Sequence, residues 1–201
     1  MKKKMMNSTG KNQKAKSIAN NCRDSSNSCP LNNFEEIVHC YISHHRSRAE
    51  DELKYFKLQP SLQETIEMAA LAKLSSGGKH PHQHRIRQSA LEEARDRLLG
   101  VDLKGYPNFT ELMGIVNATI RPIKGIGELA VYDTTLRIGA YLNLEPDVIY
   151  LHSGTRDGAK AIGLDGKRHT ICVDELPSPF QELSPREIED CLCICFKKTL
   201  T

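Results

Sequence analysis

Two glycines one residue apart, Gly125 and Gly127, constrain this chain more than any other feature of its sequence. They follow Pro122, which ends a helix because proline lacks an amide proton and crowds the preceding turn. A run with helical character begins directly after them. Glycine is needed where a backbone turns tightly or where another molecule approaches it closely. The segment therefore predicts two helices, within residues 109–142, joined by a tight turn.

Most of the chain carries apolar residues at helical spacing. Helix starts are marked by capping signals, namely Ser61-x-x-Glu64, Asn108-x-x-Glu111 and Ser184-Pro185-x-Glu187. Extended structure is expected only at residues 170–173. We predict an all-α fold, a helical bundle with little or no sheet.

Three segments are predicted from composition. Residues 1–32 carry scattered basic side chains among Asn, Ser and Gln, with few large apolar residues, and are expected to be a disordered basic tail. Residues 33–78 form a first helical lobe, which ends at a Ser-Ser-Gly-Gly hinge. Residues 79–201 form the second lobe, which contains the glycine turn.

The basic charge is concentrated in the tail. The tail has a net charge of +6 and the whole chain of +3, so residues 33–201 carry −3. A domain that binds DNA through many phosphates is usually basic. Any contact of the folded part with DNA is therefore expected to be local. With no apolar run long enough for a signal peptide or a membrane span, we expect a cytoplasmic protein without a membrane partner.

Residues 123–133, Ile-Lys-Gly-Ile-Gly-Glu-Leu-Ala-Val-Tyr-Asp, resemble the hairpin of the helix-hairpin-helix (HhH) DNA-binding superfamily. The family pattern is roughly hydrophobic-Pro-Gly-hydrophobic-Gly followed by a helix, and Lys124 stands where proline is usual. The resemblance implies sequence-independent binding of the DNA backbone by exposed helix amides. The DNA-binding candidates are Arg121, Lys124, Gly125, Ile126 and Gly127.

A second, weaker hairpin is predicted at residues 146–162. Pro146 and Asp147 suit the first turn of a short helix, and Gly154 breaks the chain before another. Paired hairpins of this kind resemble those of DNA-repair proteins. In that arrangement Arg156 and Lys160 add to the DNA-binding candidates.

Resemblance to the endonuclease III-like glycosylases raises an enzymatic alternative. In that group a catalytic aspartate follows the hairpin by about twenty residues, where this chain has Asp147. The lysine of the bifunctional members is replaced by Leu129, which cannot form a Schiff base. Asp133 is a second weak candidate because it lies on an apolar helical stripe. An internal network with Arg137, one turn on, explains Asp133 equally well and is preferred.

Two clusters have metal-ligating residue types. His80, His82 and His84 alternate after the glycine hinge, and a solvated linker is favoured over a metal site. Three cysteines near residue 193 are expected to be small buried hydrophobes. No metal and no cofactor is predicted.

The function predicted from these features is sequence-independent DNA backbone binding by an accessory protein of DNA maintenance or repair. Two alternatives stay open. One is a monofunctional DNA glycosylase-like enzyme that uses Asp147 or Asp133. The other is a protein–protein adaptor in which the hairpin is only a structural corner, and the net charge of −3 favours it. Whether the chain is an enzyme is left undecided.

Overall fold

The computed structural model describes residues 33–196, so the predicted tail lies outside the described residues. Within this range the chain forms eight α-helices and one small sheet. The helices are α1 (Phe34–His44), α2 (Arg46–Lys57), α3 (Leu62–Ala70), α4 (Gln88–Leu99), α5 (Phe109–Ile120), α6 (Glu128–Leu142), α7 (Ser153–Ala161) and α8 (Pro185–Cys195). Strands β1 (Ile149–Tyr150) and β2 (Thr170–Ile171) pair antiparallel. The predicted all-α class is confirmed.

The predicted capping signals begin helices as expected. The side chains of Ser61, Asn108 and Ser184 accept hydrogen bonds from backbone amides three residues on. At Ser184 the capping box is complete, because the Glu187 carboxylate accepts from the Ser184 amide in return. These local bonds satisfy amides that the helix itself leaves without partners.

The prediction of a short helix at Pro146 and Asp147 is wrong. The chain instead forms strand β1, in which Ile149 pairs with Ile171 and Tyr150 with Thr170. The run Val148-Ile149-Tyr150 has β-branched and aromatic side chains, and Ile149 is fully buried, so the extended form packs well there. The second hairpin therefore does not form, although a helix, α7, does begin at Ser153.

Two hydrophobic cores organise the described chain. The first is built by α2 to α6, with Phe56, Leu91 and Leu112 among its fully buried side chains. The second joins α1 to the sheet, α7 and α8, through residues such as Ile37 and Leu192. Residues 33–78 thus contribute to both cores, because α1 packs with the C-terminal elements.

Helix α6 lies at the centre of the first core. It contacts α2, α3 and α5, and Val131 and Ile138 on it are fully buried. A helix that is buried on most sides is apolar around much of its circumference, as its sequence indicated. None of the helices within residues 33–196, α6 included, is long and apolar enough to cross a membrane.

Helices α7 and α8 approach closely at two glycines. A Cβ atom on Gly154 would lie 2.8 Å from the Cys193 sulfur, and one on Gly158 would lie 2.9 Å from the Leu192 Cβ. Gly158 would also collide with the Leu192 backbone. Cys191, Cys193 and Cys195 are buried in α8, as predicted. The second core therefore depends on side chains being absent from this face of α7.

We predict opposite effects for two glycine-to-alanine substitutions. Gly158→Ala forces α7 and α8 apart and is expected to lower the free energy of unfolding by about 1–3 kcal/mol. Gly114→Ala in α5 is the matched control, because its added Cβ meets nothing within 4 Å; it is expected to raise that free energy by about 0.5–1 kcal/mol through helix propensity. Urea unfolding followed by circular dichroism measures both, and equal effects would contradict the packing argument.

Candidate functional sites in the hairpin and a histidine–carboxylate cleft

The predicted hairpin forms as a tight turn between α5 and α6. The amide of Ile123 donates to the Ile120 carbonyl, and the amide of Ile126 donates to the Ile123 carbonyl, each at 3.0 Å. Ile123 and Ile126 are buried in the first core and hold the turn in place. Lys124 and the two glycines are exposed. The predicted candidate Ile126 is thus an anchor of the turn, while its neighbours face solvent.

The two glycines of the turn have different roles. Gly125 has a φ of +100°, in the left-handed region that L side chains rarely adopt. Gly127 has an ordinary φ of −96° and is the N-cap of α6, with no side-chain bond to the helix amides. A Cβ at either position would meet nothing within 4 Å. Gly125 is therefore required by the backbone, whereas Gly127 leaves open space beside the N-terminus of α6.

Three of the four predicted basic side chains have protein partners. Arg121 donates to the Ile126 carbonyl at 3.1 Å. Arg156 donates to the Glu128 carboxylate at 2.6 Å, and Lys160 lies 3.5 Å from Asp157. The hydrogen bond from Arg156 holds the pKa of Glu128 below its usual value. Arg156 was predicted as a DNA-binding residue of the second hairpin, which does not form. It nevertheless contacts the first hairpin through Glu128.

A cleft with a volume of about 120 Å³ lies between α2, α6, α8 and the segment before α4. We call it the histidine–carboxylate cleft. Its polar lining includes Glu52, His80, His82, Asp133, Arg137 and Glu189. These residues come from four separate segments of the chain, so the cleft exists only in the folded protein.

Asp133 and Arg137 are joined through Gln83. The Gln83 amide donates to Asp133 Oδ2 at 3.1 Å, and its carbonyl accepts from Arg137 Nη1 at 3.2 Å. Arg137, only 3% exposed, also donates to Glu52 at 3.3 and 3.4 Å. Burial raises the pKa of Asp133, against the opposing effect of Arg137. The predicted network around Asp133 is present, with Gln83 as its direct partner.

Glu52 also orients His80. Its Oε2 atom lies 3.5 Å from His80 Nε2. Burial opposes ionisation of Glu52, but His80 and Arg137 outweigh it and hold the pKa of Glu52 below its usual value. The other ring nitrogen, His80 Nδ1, is buried and has no hydrogen-bond partner among the described residues.

A second buried polar group lies behind the cleft. His152 Nε2 is 2.8 Å from Glu189 Oε1, which also accepts from the Thr155 hydroxyl at 2.8 Å. Burial lowers the pKa of His152, yet the contact with Glu189 outweighs this and raises it. The Tyr132 ring lies 5.1 Å from that of His152, and burial raises the Tyr132 pKa. Nothing in the sequence pattern had joined these residues.

Asp190 lies beside Glu189 on α8 and lines the same cleft. The Tyr41 hydroxyl donates to its Oδ2 atom at 3.1 Å. Burial, followed by repulsion from Glu189, raises the pKa of Asp190 to about 7. The adjacent acids Glu189-Asp190 lie between the buried Ile188 and Cys191 and are a sequence signal for this site, but they were not among the predicted site residues.

The structure separates the two candidate aspartates. Asp133 faces the cleft, while Asp147 is exposed and accepts a bond from the Thr110 hydroxyl at 3.4 Å. The expected solvated linker at residues 80–84 is wrong in part, because Pro81–Gln83 form a 3-10 helix and Gln83 is 2% exposed. His80 and His82 line the cleft, whereas His84 is exposed and outside it.

No protein-family model, curated protein or solved structure matches this chain in comparisons with known proteins.

The raised pKa of Asp190 predicts a pH-dependent stability. The folded state holds a proton on Asp190 that the unfolded state releases near its ordinary pKa of about 4. Between about pH 4 and 7 the native state therefore binds more protons, and this group lowers stability as pH rises, by about 1.4 kcal/mol per pH unit at most. Asp190→Asn removes that contribution.

The check is urea unfolding of the wild type and Asp190→Asn at several pH values. The difference in free energy of unfolding between the two proteins is expected to shift in favour of the variant from pH 4 to 7. It should then level off above pH 7. A difference that does not change with pH would contradict the raised pKa.

Proposed function

We propose that the hairpin binds the sugar–phosphate backbone of DNA without sequence preference. The observation that carries this proposal is the open space beside Gly127 at the N-terminus of α6. The amides at a helix N-terminus have no partners within the helix and lie at the positive end of its dipole. A phosphate oxygen can reach such amides where no side chain intervenes.

The surrounding charges support a local contact. Lys124 is exposed in the turn, beside Gly125. The carboxylate of Glu128, at the first position of α6, repels an approaching phosphate, but Arg156 neutralises it. Residues 1–32 carry a net charge of +6, and we expect them to add affinity for DNA that weakens as salt screens it.

Gly127→Glu is expected to weaken binding of the full chain to duplex DNA by tenfold or more at low salt. The new side chain fills the approach to the α6 amides and adds a negative charge there. Gly78→Glu is the matched control, because Gly78 is exposed, has no positive φ and would place its Cβ only in ordinary contact. Fluorescence anisotropy with unrelated duplexes across a salt series measures both variants.

Three results would contradict the proposal. Equal losses in the two variants would assign binding to overall charge, and a strong preference for one duplex sequence would exclude backbone recognition alone. Absence of DNA binding by the wild type at low salt would favour the adaptor alternative, in which the turn is a structural corner.

A DNA glycosylase-like activity is the second candidate, and the position of Asp133 favours it. This carboxyl lines an open cleft, and burial raises its pKa, which suits a group that exchanges a proton during a reaction. Asp147 has the spacing of the related enzymes but lies on the surface, outside the cleft. If the protein is a glycosylase, we therefore propose Asp133 as its catalytic aspartate.

The two aspartates give a matched test of that alternative. Asp133→Asn is expected to reduce release of damaged bases from duplex DNA by about a hundredfold or more, while Asp147→Asn leaves it within about twofold of the wild type. Chromatographic detection of free bases measures release, and circular dichroism confirms that both variants fold. Release lost in Asp147→Asn and kept in Asp133→Asn would overturn the assignment, and no release by the wild type would remove this candidate.

A further inference from the structure

The histidine–carboxylate cleft has the donor set of a metal centre. One ring nitrogen each from His80 and His82 and one carboxylate oxygen of Asp133 lie within 4.8 Å of one another. We propose that these three residues bind a divalent transition-metal ion such as Zn²⁺, with the remaining coordination open to the cleft. The proposal rests on this geometry and does not depend on either proposed function.

His80 is oriented as a metal-binding histidine. Glu52 faces its Nε2 atom at 3.5 Å, which favours a proton on that nitrogen and a lone pair on Nδ1. That Nδ1 atom is buried and has no hydrogen-bond partner among the described residues. A buried polar atom without a partner is destabilising, because it has lost its hydrogen bond to water and gained none in the protein. Coordination of a metal would satisfy it.

The other two ligands are held close to His80. The rings of His80 and His82 meet edge to face with their centres 5.0 Å apart, because His80 caps the 3-10 helix Pro81–Gln83 that contains His82. The Gln83 amide donates to Asp133 Oδ2, which holds this carboxylate next to the segment that carries the two histidines. Arg137, a buried cation of the cleft lining, is engaged by Glu52 and Gln83. Its charge is therefore partly compensated before an ion arrives.

Two imidazoles and one carboxylate suit borderline metals such as Zn²⁺ or Fe²⁺ better than Ca²⁺ or Mg²⁺, which prefer oxygen ligands. Three protein ligands with an open position are also the arrangement of catalytic zinc sites, since structural sites use four. His82 is exposed at the mouth of the cleft, so an ion from solvent has access. We therefore assign the site to a transition-metal ion with an open coordination position, which a water molecule or a substrate oxygen can occupy.

His82→Ala and His84→Ala form a matched pair for the test. Both histidines are exposed and lie in the same short segment, but only His82 belongs to the cluster. The full chain, stripped with a chelator and free of any polyhistidine tag, is titrated with Zn²⁺ by calorimetry and with Co²⁺ by visible absorption. We expect one equivalent bound by the wild type and by His84→Ala, and affinity lower by tenfold or more in His82→Ala.

Asp133→Asn and Glu52→Gln extend the test to the buried side. We expect Asp133→Asn to weaken Co²⁺ binding and to change its visible spectrum, and Glu52→Gln to weaken it by about tenfold. Circular dichroism shows that each variant is folded. Absence of one-equivalent binding by the wild type, or equal affinities for His82→Ala and the wild type, would overturn the proposal. Equal losses in His82→Ala and His84→Ala would do the same, since they would indicate weak binding by the histidine run alone.

Discussion

Burial of helix α6 is the constraint on which the rest of the structure depends. Val131 and Ile138 on this helix are fully buried, and α2, α3 and α5 pack around it. Its position fixes both candidate sites, because Gly127 lies at its N-terminus and Asp133 lies about 9 Å further along its axis. Displacing α6 would therefore move the hairpin and the cleft together.

The buried charge on α6 organises the segment that carries the histidines. Arg137 is 3% exposed, and an unpaired charge at that depth would be strongly destabilising. Glu52 and Gln83 satisfy it, which ties α2 and the 3-10 helix Pro81–Gln83 to α6. The same tie brings His80 into contact with Glu52. Pairing of the buried Arg137 thus brings polar side chains into the cleft.

The sequence was most informative where local interactions decide the outcome. Ser61, Asn108 and Ser184 cap helices as predicted, since a cap involves only residues three apart. The turn at residues 121–127 also formed as predicted. The helix predicted at residues 146–150 does not form. Ile149 instead pairs with Ile171, which is distant in the sequence, and local sequence signals carry no information about such a contact.

The composition of the cleft was beyond local prediction for the same reason. His80 and Asp133 were both candidates, but they are fifty-three positions apart in the sequence and no local pattern indicates that they meet. Glu52, Gln83 and Glu189 were not among the predicted site residues. The helical class, the helix caps and the glycine turn were predictable from the sequence, because spacing and backbone chemistry act over a few residues. Only the tertiary structure decided which acids and histidines share a cleft, since burial of α6 and the pairing of Arg137 draw distant segments together.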